Sequence, residues 1–348
     1  MLAQKSWRII ENPQDAMEER RQLTRASTLD FSTNGHFAPI NSTAMTSRSM
    51  EAMSSLELER KLESTINRLY GSYQELAMDD AKCLVMLLER KDPKNLLKTF
   101  VALGTLTNSS SNQQVLRQYG LCTVLLDMLK RQDMLNNSEK LLLYRSIGNM
   151  AANAENKMQL QVSIPWLVSM VFRAPYGSME WQVSLEALMN LTQPTFQFHQ
   201  YKSDLFRLIP SLMQSLDCES IAVVQLLVNL TMEPELVMAI LCAKKPDSYT
   251  FYELFNCSQS DDLLDCSSQL LVNIASTVDT LGITYTDLKT SHAYEETFFY
   301  FLFGAADCLH RVYQAIEPLT NLENCAGIVQ RIQRTIRHLE NIELAPNF

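Results

Sequence analysis

An asparagine returns at nearly constant intervals along this chain, each time close to the end of an apolar stretch. The four positions are Asn149, Asn190, Asn229 and Asn273, and Thr105 occupies the corresponding place one interval earlier. Successive positions are 44, 41, 39 and 44 residues apart. A carboxamide carries hydrogen-bond donors and an acceptor together. The chemistry that this series could do is therefore hydrogen bonding, and not the making or breaking of covalent bonds.

Residue types that commonly catalyse reactions or bind metals form no known motif in this sequence. The 5 histidines show neither H-x-x-x-H nor H-E-x-x-H spacing, and there is no phosphate-binding glycine loop and no G-x-S-x-G elbow. The 8 cysteines contain no C-x-x-C pair, and most lie in apolar helical stretches. This favours small buried side chains in a reducing compartment over metal ligands or disulfides. We expect no enzyme activity, no cofactor and no bound metal.

The charge and hydropathy of the chain restrict its partners and its location. The net charge of −9 argues against direct nucleic-acid binding, which depends on many lysine and arginine contacts with phosphates. No apolar run reaches the roughly 18–20 residues that a membrane span needs. The N-terminal residues lack the apolar centre of a signal peptide. We therefore expect a cytoplasmic protein that also reaches the nucleus, with other proteins as its partners.

The interval near forty residues is typical of an α-solenoid, in which units of two or three helices stack along one axis. The chain has only 9 glycines and 11 prolines. The clearest unit begins with a short helix over 112–119 that Gly120 ends. A second helix over 121–131 follows, and then a long third helix that Ser138 caps and that runs to Ala152. Similar triplets are predicted over 156–192, 194–232 and 234–276. The sequence therefore predicts an all-α fold.

The same patterns divide the chain into four parts. The first residues are rich in serine and threonine without a helical apolar stripe, which predicts disorder. Ser54 and Glu57 form a candidate capping box. We interpret the helix that follows as a cap on the solenoid, with a short coiled coil as the alternative. The predicted parts are a disordered tail over 1–53, a capping helix over 54–76, about five repeats over 77–276 and an atypical helical repeat or cap over 277–348.

Two features of the last part lead to separate predictions. A helix predicted over 295–316 carries aromatic residues around its circumference, at Phe298, Phe299, Tyr300, Phe301 and Phe303. We expect these rings to be buried between the last repeat and a final helix over 324–339, with an exposed patch for a partner as the alternative. The final helix carries a second feature, a basic stripe that we interpret as a solvated face. Its residues are Arg331, Arg334 and Arg337.

The order of a short helix, a glycine, an apolar second helix and a long third helix ending in Leu-x-Asn-Leu resembles the armadillo repeat. The stretch V-S-I-P-W-L-V at 162–168 is similar to the G-x-I-P-x-L-V junction of that family, with Ser163 near the expected glycine. The resemblance covers roughly 77–276 and favours armadillo repeats over the related two-helix HEAT repeats. It implies a right-handed α-solenoid.

The resemblance also implies a binding groove. In armadillo proteins the third helices line a concave groove, and their asparagines hydrogen-bond the backbone of an extended peptide. The matching positions and those one turn earlier are Arg145, Asn149, Glu186, Asn190, Gln225, Asn229, Gln269 and Asn273. The alternative is that the asparagines satisfy backbone groups of their own or a neighbouring repeat. The tryptophans with which nuclear-import receptors hold lysine stems are missing here, so a ligand of mixed polar and apolar character is expected.

These observations lead to a functional prediction. We expect a non-enzymatic adaptor that binds an extended segment of a partner protein, with the tail or the terminal helices as a second contact. The alternative is a transport receptor or chaperone cofactor that cradles a folded client protein. In the tail, Thr24 and Ser27 follow arginines at a spacing that basic-directed kinases prefer, and they are candidate phosphorylation sites.

Overall fold

The computed structural model describes residues 54–70, 75–193, 198–216, 220–256, 260–304, 306–322 and 326–342. The predicted tail over 1–53, with Thr24 and Ser27, lies outside the described residues. Within them all regular elements are helices, and the β-type pairing consists of an isolated antiparallel bridge between Lys244 and Thr297. The predicted all-α fold is confirmed.

The described residues contain seventeen α-helices, numbered here in chain order. They are α1 (Ser55–Leu69), α2 (Met78–Arg90), α3 (Pro93–Leu106), α4 (Ser110–Gln118), α5 (Leu121–Lys130), α6 (Asn137–Met150), α7 (Ala154–Leu160), α8 (Ile164–Arg173), α9 (Met179–Leu191), α10 (Lys202–Gln214), α11 (Ile221–Leu230), α12 (Pro234–Cys242), α13 (Ser248–Glu253), α14 (Asp261–Leu281), α15 (Phe298–Phe303), α16 (Ala306–Ile316) and α17 (Ala326–Asn341).

The first helix, α1, begins with the predicted capping box. The Ser54 hydroxyl accepts a hydrogen bond from the Glu57 backbone N–H, and the Glu57 carboxylate accepts one from the Ser54 N–H at 3.0 Å. Leu62, Ile66 and Leu69 are buried where α1 packs against α2 and α3. The apolar side of α1 therefore packs on the first repeat.

Local signals in the sequence set most of the helix boundaries. Pro93 opens α3 directly after Asp92, whose side chain accepts from the next free backbone N–H. Gly120 separates α4 from α5 with a φ of 83°, a conformation that costs glycine little. The predicted start of α6 at Ser138 is wrong. Asn136 caps this helix instead, because Asn136 and Glu139 form a reciprocal capping box.

The long third helices of the units, α3, α6, α9, α11 and α14, pack against one another in chain order, and α17 packs on α14. We call the solvent-facing surface of α3, α6, α9, α11 and α14 the third-helix face. Two residues before each position of the asparagine series, an apolar side chain fills the contact between helices. These buried residues are Leu103, Ile147, Leu188, Leu227 and Leu271. The repeated apolar position therefore builds one continuous core.

The C-terminal part differs from its prediction in two helix boundaries. Helix α14 does not end near Ser276 but continues to Leu281, where Gly282 follows with a φ of 60°. The single helix predicted over 295–316 is two helices, α15 and α16. They separate at Gly304, where the Tyr300 ring occupies the space that a Cβ atom would need. A glycine permits this close contact, and a larger residue would not.

The aromatic residues of α15 are mostly buried, as predicted. Phe298, Phe299, Phe301 and Phe303 lie in the core, while Tyr300 is half-buried. The ring of Phe251 in α13 makes edge contacts with Phe298 and Phe301, at centroid distances of 5.4 and 5.2 Å. The predicted cover by the final helix is wrong, because α17 packs mainly on α14 while α15 packs mainly against α16 and α12.

The interpretation of the arginine stripe in α17 is wrong for one of its three residues. Arg331 is only 6% exposed; it forms an ion pair with Asp265 and donates from Nε to the Ser268 hydroxyl at 3.2 Å. Arg337 is exposed and Arg334 is half-buried. The helical period assigns residues to faces, but it does not reveal that α14 presents a carboxylate opposite Arg331.

Candidate functional site

The asparagines of the repeating series lie in the joints between third helices. Asn190 donates from Nδ2 to the carbonyl oxygen of Gly148 at 2.9 Å. Asn229 donates to the carbonyl of Met189 at 2.8 Å and to the hydroxyl of Thr192 at 3.2 Å. Both carboxamides are buried. Each side chain therefore satisfies polar groups near the C-terminal end of the preceding third helix.

The other two members of the series make equivalent bonds. Asn149 donates to the carbonyl of Gly104 at 3.3 Å and to the hydroxyl of Thr107 at 3.1 Å. Asn273 is buried and donates to the hydroxyl of Thr231 at 2.8 Å. These are bonds to a neighbouring repeat, the alternative role that the sequence left open. Contact between these asparagines and a bound peptide stays a prediction.

The two glutamines of the predicted groove support the asparagines. Gln225 donates from Nε2 to Asn229 Oδ1 at 3.4 Å, and Gln269 donates to Asn273 Oδ1 at 2.6 Å. Both glutamines are half-buried. Because the carbonyl of each asparagine is held by a glutamine, its amino group is directed towards the preceding helix.

The remaining two predicted residues, Arg145 and Glu186, are directed to solvent. Both are exposed, and within the described part of the chain neither side chain forms a hydrogen bond or an ion pair. The stem of Arg145 passes over α3, because a Cβ atom on Gly104 would lie 3.9 Å from Arg145 Cδ. Of the eight predicted groove residues, these two therefore present charge that a partner could use.

Apolar side chains share this surface with the charges. Leu97 in α3 is 42% exposed, and Ile221 in α11 is 41% exposed. Each stands eight residues before its position of the asparagine series, at Thr105 and Asn229, so both lie on the same side of their helices. The third-helix face thus has mixed polar and apolar character.

A second asparagine pair was missed in the sequence. Asn112 in α4 and Asn156 in α7 are buried, and each donates to the end of the preceding third helix. The acceptors are the carbonyls of Leu106 and Met150, both at 3.1 Å. The signal that could have found them is the spacing of 44 residues between the two asparagines, which equals the first interval of the main series.

The residues after this pair, Gln113 and Lys157, also join repeats. Gln113 donates from Nε2 to the carbonyls of Thr107 at 2.7 Å and Asn149 at 2.9 Å. Lys157 is 5% exposed and donates from Nζ to Gln193 Oε1 at 3.3 Å. Burial disfavours the charged amine and lowers the pKa of Lys157 to about 8. Lys157 therefore has a buried amino group at the position where the preceding unit has the neutral amide of Gln113.

Two buried cysteines, Cys122 and Cys266, offer little reactivity. Burial raises the pKa of Cys122 to about 11 and that of Cys266 to about 12. A thiol with such a pKa carries almost no thiolate near neutral pH, and the thiolate is the nucleophile. Among the described residues no cluster of three His, Cys, Asp or Glu side chains is placed to hold a metal ion. None of the described helices combines the length and the apolar character of a membrane span.

The arrangement defines the class of the protein. Three-helix units stack on a continuous layer of third helices, so the molecule is an α-solenoid, and such solenoids are generally binding scaffolds. A sequence model of the armadillo-like family matches residues 76–298. The chain belongs to the armadillo-like family.

Engineered proteins are among the solved structures that align with this chain. Two engineered proteins from a structural genomics consortium align with TM-scores of 0.52, at 16% and 15% identity. The first alignment covers 76% of this chain and 59% of the other, and the second covers 77% and 99%. A designed armadillo repeat protein aligns with a TM-score of 0.49 at 15% identity, covering 74% of this chain and 99% of the other. The chain thus spans little more than half of the first of these proteins.

Proposed function

We propose that this chain is a non-enzymatic adaptor that holds an extended segment of a partner protein on the third-helix face. The proposal rests on four side chains of this face that are exposed to solvent. The charges of Arg145 and Glu186 and the apolar surfaces of Leu97 and Ile221 are exposed on four different helices of one packed layer. An extended segment is a ligand that can reach all four.

The asparagines support this function indirectly. Their amino groups tie neighbouring third helices together, so the spacing between exposed side chains on successive helices is held constant. A surface that is ordered before binding loses less conformational entropy when its partner arrives. In this proposal the asparagines preorganise the face, and Arg145 and Glu186 contact the ligand.

We also propose a location in the cytoplasm with access to the nucleus. Cys83, Cys122, Cys242 and Cys266 are free thiols, three of them buried, as is usual in reducing compartments. Partners are then cytoplasmic or nuclear proteins, and the net charge of −9 argues against direct contact with nucleic acid.

The test is a selection of peptides from a random 12-residue phage library against the full chain, followed by affinity measurements on synthetic peptides by fluorescence anisotropy. We expect binders whose affinity falls when Leu97 or Ile221 is changed to Ser. A matched control is Val162→Ser, since Val162 is 43% exposed but lies outside the third helices. If no peptide is selected, or if only the control change weakens binding, the proposal is wrong. Binding of folded proteins without any peptide binder would favour a cradle for folded clients.

A further inference from the structure

Arg145 and Glu186 stand at the same position of two packed helices. Each lies four residues before an asparagine of the series, Asn149 in α6 and Asn190 in α9. They are oppositely charged and exposed, yet no ion pair joins them in the described part of the chain. Two neighbouring helices of the third-helix face therefore present opposite free charges.

Two other charged residues on this face have the same sign as whichever of Arg145 and Glu186 is nearer in the order of the helices. At 100° per residue, Lys98 in α3 and Asp262 in α14 lie on the same side of their helices as the asparagine series. Both are exposed. The basic residues are thus on α3 and α6, and the acidic residues are on α9 and α14.

Two further charged residues of this face are neutralised within the chain and leave the pattern unchanged. Lys94 in α3 pairs with Glu63 of α1 at 2.8 Å. Asp265 in α14 pairs with the buried Arg331 of α17. The free charges therefore divide the face into a basic half and an acidic half, although the net charge of the whole chain is −9.

The geometry of an extended chain predicts how far apart in its sequence the charges of a matching ligand would be. Packed helices are about 8–10 Å apart, and an extended chain rises about 3.3 Å per residue. Side chains that meet Arg145 and Glu186 are then about two to four residues apart in the ligand. For a given direction of the bound chain, opposite charges at that spacing would each find a partner, and the reverse order would place like charges together.

We infer that the third-helix face selects an extended segment that carries an acidic side chain against Arg145 and, about two to four residues away, a basic side chain against Glu186. This inference rests on the proposed function and specifies the chemistry of its ligand. A uniformly basic or uniformly acidic segment meets like charge on one half of the face. Such segments are expected to bind less tightly than a segment with both charges.

The test compares peptides selected by the native chain with those selected by the double variant Arg145→Glu, Glu186→Arg, which leaves the net charge unchanged. From the native chain we expect peptides with one acidic and one basic residue in a constant order. From the double variant we expect the reverse order. A matched control exchanges Asp127 and Lys130, an exposed ion pair at 3.3 Å on α5, and it should leave the selected order unchanged.

The outcomes separate this inference from the proposed function. Peptides that bind without a charge order, or whose order is the same for the double variant, overturn the inference and leave the proposed function standing. Failure to select any peptide overturns both. If the double variant melts at a lower temperature, Arg145→Gln and Glu186→Gln replace it. Each should weaken a selected peptide about 2–5-fold, as for an exposed ion pair, and no loss with either variant contradicts the inference.

Discussion

The backbone of Gly148 in α6 lies directly against Ala187 in α9. A Cβ atom on Gly148 would come within 3.0 Å of the Ala187 α-carbon, and the carbonyl of Gly148 accepts the hydrogen bond from Asn190. A close backbone approach between these two helices and one bond of the asparagine series thus occur at the same residue. Gly148 allows α6 and α9 to approach so closely because it has no side chain.

Replacement of Gly148 by Ala should destabilise the protein. The added methyl group must displace the backbone of Ala187, and such overpacking typically costs about 1–3 kcal/mol. The control is Gly104→Ala, where the new Cβ would meet Leu142 at 3.8 Å and Arg145 at 3.9 Å, which are ordinary contacts. That change should be neutral or stabilise the helix by up to about 1 kcal/mol. Urea denaturation of both variants measures the difference, and equal free energies of unfolding would contradict the close contact.

Asn229→Ala should also lower the free energy of unfolding. The change removes the Asn229 donor from the carbonyl of Met189 and the hydroxyl of Thr192 in a buried joint, where the carbonyl keeps a longer bond of 3.4 Å from that hydroxyl. The expected cost is about 1–3 kcal/mol. The control is Gln225→Ala at a half-buried position, which loses a 3.4 Å bond to Asn229 and a bond from the Cys266 thiol, a weak donor, and it should cost less. A fully stable Asn229→Ala protein that has lost affinity for a selected peptide would instead favour direct peptide contact.

Lys157→Gln should stabilise the protein most at neutral pH. Burial lowers the pKa of Lys157 from 10.5 to about 8, so below pH 8 the folded state carries a buried charge that the unfolded state solvates. Between pH 8 and 10.5 the unfolded state binds more protons, and the stability of the native protein rises with pH. The advantage of Lys157→Gln, about 1–3 kcal/mol below pH 8, should therefore shrink as pH rises through this range.

Thermal unfolding of the native protein and of Lys157→Gln at pH 7 and pH 9.5 measures this pH dependence. Lys130→Gln is the matched control, because Lys130 is exposed on α5. Its effect on the melting temperature should be small at both pH values. A Lys157→Gln protein that is less stable than the native chain at pH 7 would show that Lys157 contributes more as a hydrogen-bond donor than its burial costs.

Arg331→Ala should loosen the last helix of the solenoid. The change removes the ion pair with Asp265 and the bond to Ser268 that join α17 to α14. Because Asp265 retains 38% side-chain exposure, water can solvate its carboxylate, and we expect a loss of about 1–3 kcal/mol. Arg337→Ala is the exposed control and should cost under about 0.5 kcal/mol. Limited proteolysis followed by mass spectrometry should show earlier cleavage near α17 for Arg331→Ala alone.

Much of the architecture follows from short-range patterns in the chain. The interval of the asparagine series, at the ends of apolar stretches, predicted stacked helices, because a helix must bury its apolar side against a neighbour. Gly120 and the Ser54 capping box predicted helix ends from the conformations and hydrogen bonds of single residues. All of these depend on contacts within a few residues, which a sequence shows directly.

The direction of several polar side chains depends on contacts across 36 or more residues, such as that from Gln113 to Asn149. The sequence placed Asn190 and Glu186 on one side of α9, but only packing against α6 buries the first and leaves the second in solvent. Arg331 is buried for the same reason, since α14 offers it a carboxylate. A helical period tells which residues share a face. Whether that face meets water or a hydrogen-bond partner depends on the helix that packs beside it.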